Sequence, residues 1–367
     1  MDTTDPDIVF DNKGVCSHCY KYDKLASSET YLEKKQPGAL EKIVEEIKGQ
    51  GKGKPYDCII GVSGGIDSTY VAYMTKKLGL RPLAVHLDNG WDSELATNNI
   101  EKTLKKLHID LYSYVLDWED FRNLQLAFLR ASVPDCEIPT DQAIVGSLYL
   151  VAHRRNIKYI LAGQNLATES AAVLAWSQGY LDWRYVKAIN RAFGTATLKT
   201  YPYFSLFKLL YYSKIEKIKW IQILDYLDYN TNDVMRMLQN ELGWKYYGSK
   251  HYESIYTRFF MGYFLPKKFG FDCRKTHLSS LIWSGQISRE TAMKKMLADD
   301  YSLELQEQDR QYVIKKLGIT EEEFERIMDL PPKKFWDYPS CKKALRKYKY
   351  NYFLSIYSFL KHFCKRI

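Results

Sequence analysis

Short apolar runs alternate with amphipathic segments along the first half of the chain. The apolar runs, each typical of a buried strand, cover residues 56–62, 81–87, 111–116 and 158–162. Apolar positions recur at helical spacing in the segments at 40–47, 69–78, 94–107 and 143–155. Because parallel strands joined by helices are covered on both faces, this alternation predicts an α/β fold with a doubly wound parallel sheet.

The pattern changes after about residue 205, where strand candidates become rare and helical segments rich in Lys, Tyr and Leu take over. Thr320-Glu-Glu-Glu323 is a capping box that predicts the start of a helix, and Pro331-Pro332 predicts its end. The aromatic and basic stretch at 348–367 predicts a packed terminal helix, with a helix on a membrane surface as the alternative. We expect a short cysteine-containing segment at 1–35, an α/β domain at 36–205 and a helical C-terminal domain at 206–367 that contributes to the substrate site and to partner docking.

Composition and charge restrict the class of protein. Of 367 residues, 46% are apolar and 26% are charged, which allows a full hydrophobic core and excludes a disordered chain. No apolar run reaches the roughly 18 residues of a membrane span, and no secretory signal segment is recognisable. Seven cysteines, an odd number in so long a chain, predict reduced thiols and therefore a soluble cytoplasmic protein. The net charge of +9 favours anionic partners without choosing among them.

A glycine-rich loop lies between the first predicted strand and the following helix, in Gly61-Val-Ser-Gly-Gly-Ile-Asp-Ser68. Gly64 and Gly65 allow the backbone to approach a ligand closely, and the start of the helix near Asp67 directs free N–H groups into the loop. The hydroxyl groups of Ser63 and Ser68 add further donors. The loop therefore predicts a site for phosphate oxygens.

The residues that this loop lacks argue against two common classes of nucleotide-binding loop. No lysine follows the glycines, so it differs from the loop that grips the β- and γ-phosphates in P-loop nucleotidases, and the glycine spacing does not match G-x-G-x-x-G. The carboxylate of Asp67 would repel phosphate unless a cation bridged them, which predicts Mg²⁺ held by Asp67 and the nucleotide phosphates. The alternative is an ordinary glycine turn in which Asp67 caps the helix.

Ser63-Gly-Gly-Ile-Asp-Ser68 resembles the pyrophosphate loop of the ATP-pyrophosphatase (PP-loop) superfamily, which includes GMP, NAD, asparagine and argininosuccinate synthetases and tRNA-thiolation enzymes. The resemblance implies a Rossmann-like sheet of the adenine nucleotide alpha hydrolase type. It also implies ATP and Mg²⁺, with cleavage of ATP between the α- and β-phosphates. AMP would be transferred to a carbonyl oxygen, and a nitrogen or sulfur nucleophile would then displace it.

Further segments resemble one branch of that superfamily, the N-acetyl sugar amidotransferases of lipopolysaccharide O-antigen and flagellin-sugar pathways. These segments lie at 85–91, 161–165, 243–254, 256–259, 268–271 and 278–285. The resemblance extends from about residue 5 to about residue 300. It implies an enzyme that converts the acetamido group of an N-acetyl sugar, expected to be nucleotide-linked, into an acetamidino group. UDP-linked diacetamido uronic acids and nonulosonic acids are both acceptable acceptors.

Two predicted turns at the carboxyl edge of the sheet complete the expected nucleotide pocket. By family resemblance, Asp88 and Asn89, which follow the second strand, help to hold the adenosine part of ATP. Gly163 and Gln164 end the fourth strand at the same edge, where doubly wound sheets bind ligands. Simple turns are the alternative in both places.

Because the loop lacks a lysine, other cations must reach the phosphates. The segment Lys250–Arg258 is interpreted as a helix. In such a helix Lys250 and Thr257 lie on one face, and His251 and Arg258 lie together on another. Lys250 and Arg258 are the candidate phosphate ligands, and Glu253 is a candidate for binding metal or orienting Lys250. A solvated charged face is the alternative.

Two residues are weaker candidates for contact with the substrate. Arg274 has a planar guanidinium that suits a carboxylate or phosphate. Asp141 lies ahead of a predicted helix, so an N-cap role competes with a role on the substrate side.

Cys16 and Cys19 form a Cys-x-x-Cys pair, which is half of a structural zinc site. Members of the resembled family carry an additional pair before the segment that corresponds to Met1–Pro6. A truncated start and a genuine departure from the family both explain its absence. His18 or a distant cysteine could complete a zinc shell, and a two-thiol remnant without metal is the alternative.

The source of ammonia is expected on another protein, because no cysteine lies in a G-x-C-x-G elbow. The resemblance implies partners similar to the glutaminase and cyclase subunits of imidazole-glycerol-phosphate synthase, and no nucleic-acid partner is expected. Two rival functions remain. One is a tRNA-modifying enzyme of the thiolation or lysidine type, for which Cys136 and Cys273 are the candidate sulfur carriers, and the other is a non-catalytic nucleotide-binding module.

Overall fold

The computed structural model describes residues 1–298 and 301–347, with side chains through residue 344. The stretch 348–367, predicted as a terminal helix, lies outside the described residues. The strands are β1 (Cys58–Gly61), β2 (Pro82–Asp88), β3 (Asp110–Val115), β4 (Tyr159–Ala162) and β5 (Lys219–Gln222). The first four strands lie within the predicted runs or one residue beyond them.

The five strands form one parallel sheet in the order β3-β2-β1-β4-β5. The central strand β1 pairs with β2 on one side, in the register Cys58↔Pro82, and with β4 on the other, in the register Ile59↔Ile160. The chain therefore reverses its direction of winding at β1. The predicted α/β, doubly wound fold is confirmed.

The fifth strand lies beyond residue 205, in the part of the chain where the sequence pattern predicts helices. β5 has only four residues, Lys219-Trp-Ile-Gln222, and pairs with β4 at the edge of the sheet. None of the four is fully buried, so the run lacks the continuous apolar character that marks the inner strands. The α/β unit consequently extends past the expected boundary at residue 205.

Helices surround the sheet and form most of the second half of the chain. They are α1 (Ser17–Ala26), α2 (Glu29–Lys34), α3 (Ala39–Gly51), α4 (Ile66–Lys77), α5 (Glu94–Leu107), α6 (Trp118–Arg130), α7 (Ile138–Arg154), α8 (Leu166–Glu169), α9 (Trp183–Phe193), α10 (Leu206–Leu210), α11 (Thr231–Leu242), α12 (Ile255–Phe259), α13 (Leu265–Phe269), α14 (Arg274–Trp283), α15 (Arg289–Leu297), α16 (Leu303–Leu317), α17 (Glu321–Asp329) and α18 (Cys341–Lys347). Short π-helical turns follow α10 and α12, at Tyr211–Ile215 and Phe260–Phe264. Single 3₁₀ turns lie at Ile223–Tyr226 and Phe335–Asp337.

Alternate side chains of β1 pack into two different hydrophobic cores, one on each face of the sheet. Cys58 and Ile60 pack into a cluster with residues of α3, α4, α5 and α11. Ile59 packs into the opposite cluster, which is formed mainly with α7. Because successive strand residues point to opposite faces, both faces need a helical cover, and the loop after β1 is left at the carboxyl edge of the sheet.

A third cluster holds the C-terminal helices against the sheet domain. Its buried aromatic residues come from α6, α9, α12 and α17, among them Phe128, Tyr185, Phe259 and Phe324. The hydroxyl group of Thr320 accepts a hydrogen bond from the backbone N–H of Glu323 at 3.2 Å, so the predicted start of α17 is confirmed. Among the described residues, no helix combines the length and apolarity needed to cross a bilayer.

The packing of α7 gives a test of the fold at Gly146. A Cβ atom at this position would overlap the backbone carbonyl oxygen of Pro202, which cannot move aside as a flexible side chain would. Gly146→Ala should therefore lower the free energy of unfolding by about 1–3 kcal/mol, measured by urea denaturation. Gly49→Ala is the matched control, since an added Cβ in α3 meets open space there and should raise stability by about 0.5–1 kcal/mol. Equal effects of the two substitutions would contradict the packing of α7.

Candidate functional site

The glycine-rich loop lies at the carboxyl edge of the sheet, between the end of β1 and the start of α4. β1 is flanked by β2 and β4, so the loop lies at the point where the strand order reverses. Doubly wound sheets bind ligands in the crevice that such a reversal opens. The predicted position of the loop, between the first strand and the following helix, is confirmed.

Position 64 requires a glycine, because of its backbone conformation and its close contact with α5. Its φ angle is +78°, and a Cβ atom there would lie 2.5 Å from the carbonyl oxygen of Ala96 on α5. Gly65 occupies the N-cap position of α4, so the first N–H groups of that helix face the loop. The hydroxyl oxygens of Ser63 and Ser68 lie 3.2 Å apart at the same end. The loop thus gathers backbone and hydroxyl donors in one place, as a phosphate site requires. Two of the backbone donors are already engaged, since the N–H of Gly65 donates to Oγ of Ser63 and that of Ile66 to Tyr247.

A segment from the second half of the chain covers this loop. We call residues 243–254 the covering segment. Its Trp244 donates the indole N–H to the carbonyl oxygen of Gly64 at 2.9 Å, and Tyr247 accepts the backbone N–H of Ile66 at 3.2 Å. The side chain of Asn99 makes two hydrogen bonds to the backbone of Lys245, which ties the segment to α5. The loop is therefore held from outside by residues that are remote in sequence.

The covering segment supplies the cation that the loop itself lacks. The Nζ atom of Lys250 lies 3.4 Å from Oδ2 of Asp67 and 2.8 Å from Oε1 of Glu169. Burial disfavours the charged amine, but the carboxylates of Glu169 and Asp67 outweigh this effect, and the pKa of Lys250 lies above its ordinary value. Lys250 is therefore a permanent positive charge beside the loop.

Asp67 is fixed from three directions in the first turn of α4. Besides its ion pair with Lys250, Oδ1 of Asp67 accepts the phenolic hydroxyl of Tyr229, and Gly163 packs against its backbone and Cβ. Burial, together with the Asp67 carboxylate, holds the pKa of Tyr229 well above its usual range, so Tyr229 remains a donor. Asp67 and Lys250 line the same narrow cleft, together with Thr168 and His277.

Glu253 brings a second carboxyl group to the loop. Its Oε1 lies 3.4 Å from the hydroxyl oxygen of Ser63, whereas its buried Oε2 finds no hydrogen-bond partner among the described residues. Burial raises the pKa of Glu253 to about 7. An orphaned carboxylate oxygen beside Asp67 suits a hard divalent cation such as Mg²⁺, which prefers oxygen ligands.

The helix predicted over Lys250–Arg258 is wrong. The chain forms turns as far as Glu253, and α12 begins only at Ile255, because Ser254 caps it by accepting the backbone N–H of Thr257. His251 has a φ angle of +67°, which no right-handed helix contains. Lys250 and Glu253 therefore reach the loop from a turn.

The role expected for Arg258 is also corrected. Its guanidinium is engaged in a bidentate pair with Asp309 on α16, at 2.7 and 2.8 Å. Arg274 is likewise engaged with a carboxylate, that of Asp272, and with the carbonyl oxygens of Met296 and Ala298. The sequence shows both arginines but not the acidic partners that neutralise them.

The turn residues predicted for the nucleotide pocket lie at the expected edge. Asp88 and Asn89 accept the backbone N–H groups of Gly90 and Trp91, at 3.0 and 3.1 Å, and so close the turn after β2. Gly163 contacts Asp67, and Oε1 of Gln164 is buried with no hydrogen-bond partner among the described residues. Their contact with a nucleotide stays a prediction.

Asp141 is not the cap of α7. Glu137 occupies the N-cap position, and Asp141 follows in the first helical turn. Burial, followed by repulsion from Asp135 and Glu169, raises the pKa of Asp141 to about 8. The cap interpretation is therefore wrong, because Glu137 and not Asp141 occupies the N-cap position of α7.

The cysteine pair does not form a zinc site within the part of the chain that the structure describes. The Sγ atoms of Cys16 and Cys19 lie 3.4 Å apart, but His18 is occupied by Asp5, whose Oδ2 lies 2.6 Å from Nε2. No group of three or more potential ligands is placed to hold a metal in the described residues. Two thiolates alone do not satisfy the four ligands of structural zinc.

Several residues of the site are not identified by the sequence analysis. They are Asn99, Thr168, Glu169, Tyr229, Trp244 and Tyr247, each of which contacts the loop, Asp67, Lys250 or the covering segment. None lies in a recognisable catalytic motif. Trp244 and Tyr247 fall in a segment whose family resemblance could have identified them.

A family model and a curated protein each match part of this chain. Residues 253–353 match the family model described as "LPS biosynthesis protein WbpG-like, C-terminal domain". Over 131 residues the chain is 34% identical to "GMP synthase [glutamine-hydrolyzing]" from Pyrobaculum aerophilum, covering 34% of this chain and 24% of that protein. The chain thus spans about a quarter of the length of this curated relative.

Two solved structures match the chain at lower sequence identity. An NH3-dependent NAD synthetase from Campylobacter jejuni is 14% identical with a TM-score of 0.28, covering 56% of this chain and 92% of that chain. An NMN synthetase from Francisella tularensis is 14% identical with a TM-score of 0.29, covering 69% of this chain and 94% of that one. The GMP synthase and family-model matches support the resemblance to the ATP-pyrophosphatase superfamily. They do not distinguish one branch of that superfamily from another.

The raised pKa of Glu253 gives a test of the site's electrostatics. Its pKa of about 7 exceeds the ordinary 4.5, so the folded state holds the proton more tightly than the unfolded state. Between these two values the wild-type protein should lose up to about 3 kcal/mol of stability as the pH rises. Glu253→Gln resembles the neutral acid, so its stability advantage over wild type should be small at pH 5 and largest at pH 8, measured by urea unfolding without ligands.

Glu290→Gln is the control for this measurement. Its exposed side chain pairs with Lys294 on α15, so its stability curve should run parallel to that of the wild type. A curve for Glu253→Gln that also runs parallel to wild type from pH 5 to pH 8 would contradict the environment described for Glu253.

Proposed function

We propose that this chain is an ATP-dependent amidotransferase that converts the acetamido group of an N-acetyl sugar, expected to be nucleotide-linked, into an acetamidino group for surface polysaccharide. The observation that carries the proposal is the phosphate loop without lysine, to which Lys250 and two carboxylates are added from outside. The matches to a lipopolysaccharide-biosynthesis family and to a GMP synthase support the substrate class and the ATP-dependent chemistry, respectively.

The chemistry follows from the poor reactivity of an amide carbonyl. Its oxygen attacks the α-phosphorus of ATP, the bond between the α- and β-phosphates breaks, and pyrophosphate leaves. Ammonia then attacks the activated carbon, the carbon–oxygen bond breaks, and AMP departs with the former carbonyl oxygen. Loss of a proton from the attacking nitrogen leaves the amidine. Holding both substrates at one sheet edge makes these steps intramolecular.

The residues of the chain have distinct roles in this reaction. Backbone N–H groups at the start of α4 and the hydroxyls of Ser63 and Ser68 bind the departing phosphates, and Lys250 offsets their charge. Asp67 and Glu253 would hold Mg²⁺, which supplies further charge compensation to the phosphates when bound. Tyr229 orients Asp67 through its hydrogen bond.

Buried polar atoms on the segment after β4 support an acceptor that is rich in hydroxyl and amide groups. Oε1 of Gln164, Oγ of Ser170 and Nε2 of Gln178 are buried without hydrogen-bond partners among the described residues. Buried polar groups are normally paired, because leaving one unpaired costs about 1–3 kcal/mol. Sugar hydroxyl groups and an acetamido group would pair such atoms.

The cysteines argue against the tRNA-thiolation rival. Cys136 is completely buried, and burial raises its pKa well above the ordinary value. Burial also raises the pKa of Cys273 to about 12. A sulfur carrier needs an accessible thiolate, which neither residue provides. With ammonia as the nucleophile, separate glutaminase and cyclase-like subunits remain the proposed source.

Acceptor-dependent release of pyrophosphate from ATP tests this function. Purified protein with Mg²⁺, ammonium and a panel of nucleotide-linked N-acetyl sugars should form AMP and pyrophosphate only with the correct acceptor. Asp67→Ala and Lys250→Met should each lower kcat/KM by about 100-fold or more, because each removes charge that faces the phosphates. Glu290→Ala, on the surface of α15, should retain the wild-type rate.

Three outcomes would contradict the proposal. They are formation of ADP instead of AMP, unchanged turnover in Asp67→Ala, and ATP binding without pyrophosphate release for every acceptor in the panel. The last outcome would favour the non-catalytic module.

A further inference from the structure

A histidine that none of the proposed steps uses lines the cleft beside the phosphate loop. His277 lies in the first turn of α14 and shares the cleft with Asp67, Thr168 and Lys250. Among the described side chains that line this cleft, His277 carries the one imidazole. Because a neutral imidazole accepts hydrogen bonds and protons, its surroundings decide whether it can act on a substrate.

Three polar side chains on one face of α14 contact the segment that follows β4. Oγ of Ser280 accepts the backbone N–H of Ala171 at 3.1 Å, and the hydroxyl of Ser284 donates to the carbonyl oxygen of Ala167 at 2.9 Å. His277 lies three residues before Ser280 and seven before Ser284, so all three project from the same side of the helix. The packing of α14 on this segment therefore sets the position of the imidazole ring.

A hydrogen bond to the same segment determines which ring nitrogen carries the proton. Nδ1 of His277 lies 3.3 Å from the backbone carbonyl oxygen of Thr168, which can only accept, so Nδ1 is the donor. In the neutral ring, Nε2 then carries the lone pair. Nε2 has no hydrogen-bond partner in the described part of the chain and is not a buried atom, so it is open to the cleft that the ring lines.

The surroundings keep this imidazole neutral. Burial, followed by the positive charge of Lys250, lowers the pKa of His277 to about 3, so the ring is an acceptor near pH 7. The carboxylate of Asp67, which also lines the cleft, is already bound by Lys250 and Tyr229. Nε2 of His277 is thus a neutral acceptor that no described side chain occupies.

Thr168 links the imidazole to the cation that faces the phosphate loop. Its Oγ1 accepts Nζ of Lys250 at 3.3 Å, while its carbonyl oxygen accepts Nδ1 of His277. The oxygen and the N–H of a trans amide point in opposite directions. An acetamido group whose oxygen faces phosphates beside Lys250 would therefore turn its N–H away from them, and a buried N–H needs an acceptor.

We propose that Nε2 of His277 accepts the acetamido N–H of the acceptor and takes its proton when the carbonyl oxygen is adenylated, a role that rests on the proposed function. As the oxygen–phosphorus bond forms and pyrophosphate leaves, the nitrogen lone pair forms a carbon–nitrogen double bond. The N–H bond breaks, its electron pair stays on nitrogen, and its proton moves to Nε2. The imidazolium returns this proton to the same nitrogen as ammonia adds to the carbon, so His277 ends the cycle neutral.

Two effects favour this transfer. Adenylation withdraws electrons from the amide, which makes its N–H more acidic. Phosphates bound beside Lys250 would offset the charge that lowers the pKa of His277, so the imidazole would become a stronger base when ATP is present.

His277→Asn removes Nε2, while the new amide can still donate to the carbonyl oxygen of Thr168. With an acceptor that the wild type turns over, kcat for pyrophosphate release should fall by about 100-fold, as expected for loss of a positioned base, and the KM for ATP should not change. Ser284→Ala is the matched control, because it removes another hydrogen bond between α14 and the segment after β4, and Ser284 does not line the cleft. Its kcat should match that of the wild type.

An acceptor without the N–H tests the contact from the substrate side. The N-methylacetamido analogue of the same sugar has no such proton, so the wild type should turn it over about 100-fold more slowly, and His277→Asn should cause little further loss. Additive losses, normal turnover of the analogue by the wild type, or equal falls of kcat in His277→Asn and Ser284→Ala would overturn the role of His277 while the amidotransferase function stands.

A measurement without substrates separates the two proposals. Nitrogen-15 spectra of the imidazole groups at pH 7, with His277 identified by the signal lost in His277→Asn, should show a protonated Nδ1 and an unprotonated Nε2. A protonated Nε2 would overturn the role of His277 whatever the turnover. Absence of pyrophosphate release with every acceptor would instead contradict the proposed function, and with it the role that rests on it.

Discussion

The electrostatic balance around Asp67 is the constraint on which the rest of the site depends. A carboxylate in a phosphate loop repels the ligand that the loop is shaped to hold, and this loop contains no lysine to offset it. The positive charge comes instead from Lys250, a residue near the end of the covering segment. Hydrogen bonds from Trp244 and Asn99 fix that segment to the loop and to α5. The charged amine of Lys250 is therefore held in a fixed position beside Asp67. Sheet domain and C-terminal half therefore build one site.

Unpaired buried polar atoms lie at several places around the site. They occur on Glu253 beside the loop, on Gln164 after β4 and on Glu137 before α7, and also away from the site, as on Tyr149 in the core. Apolar clusters form most of the described core, and three of them cover both faces of the sheet and the C-terminal helices. Under the proposed function, the atoms beside the loop would face phosphate and metal, and those after β4 would face the sugar.

Sequence reasoning recovers what local pattern determines. The inner strands, the loop after β1 and the capped start of α17 are each encoded by neighbouring residues, and the structure confirms them. Contacts between distant residues are not encoded in this way. The pairing of Arg258 with Asp309 removes an expected phosphate ligand, and β5 is recognisable only through its pairing with β4. The positive φ angle of His251 turns an expected helix into the turn from which Lys250 reaches Asp67.

Transfer of an oxygen atom tests the central claim most directly, because the acetamido oxygen must leave with AMP if that carbonyl is adenylated. An acceptor sugar labelled with oxygen-18 at the acetamido carbonyl would be incubated with the protein, ATP, Mg²⁺ and ammonium, and the products examined by mass spectrometry. The account predicts heavy oxygen in AMP and none in pyrophosphate or in the amidine product. Unlabelled AMP, or label that remains in the sugar after turnover, would contradict it.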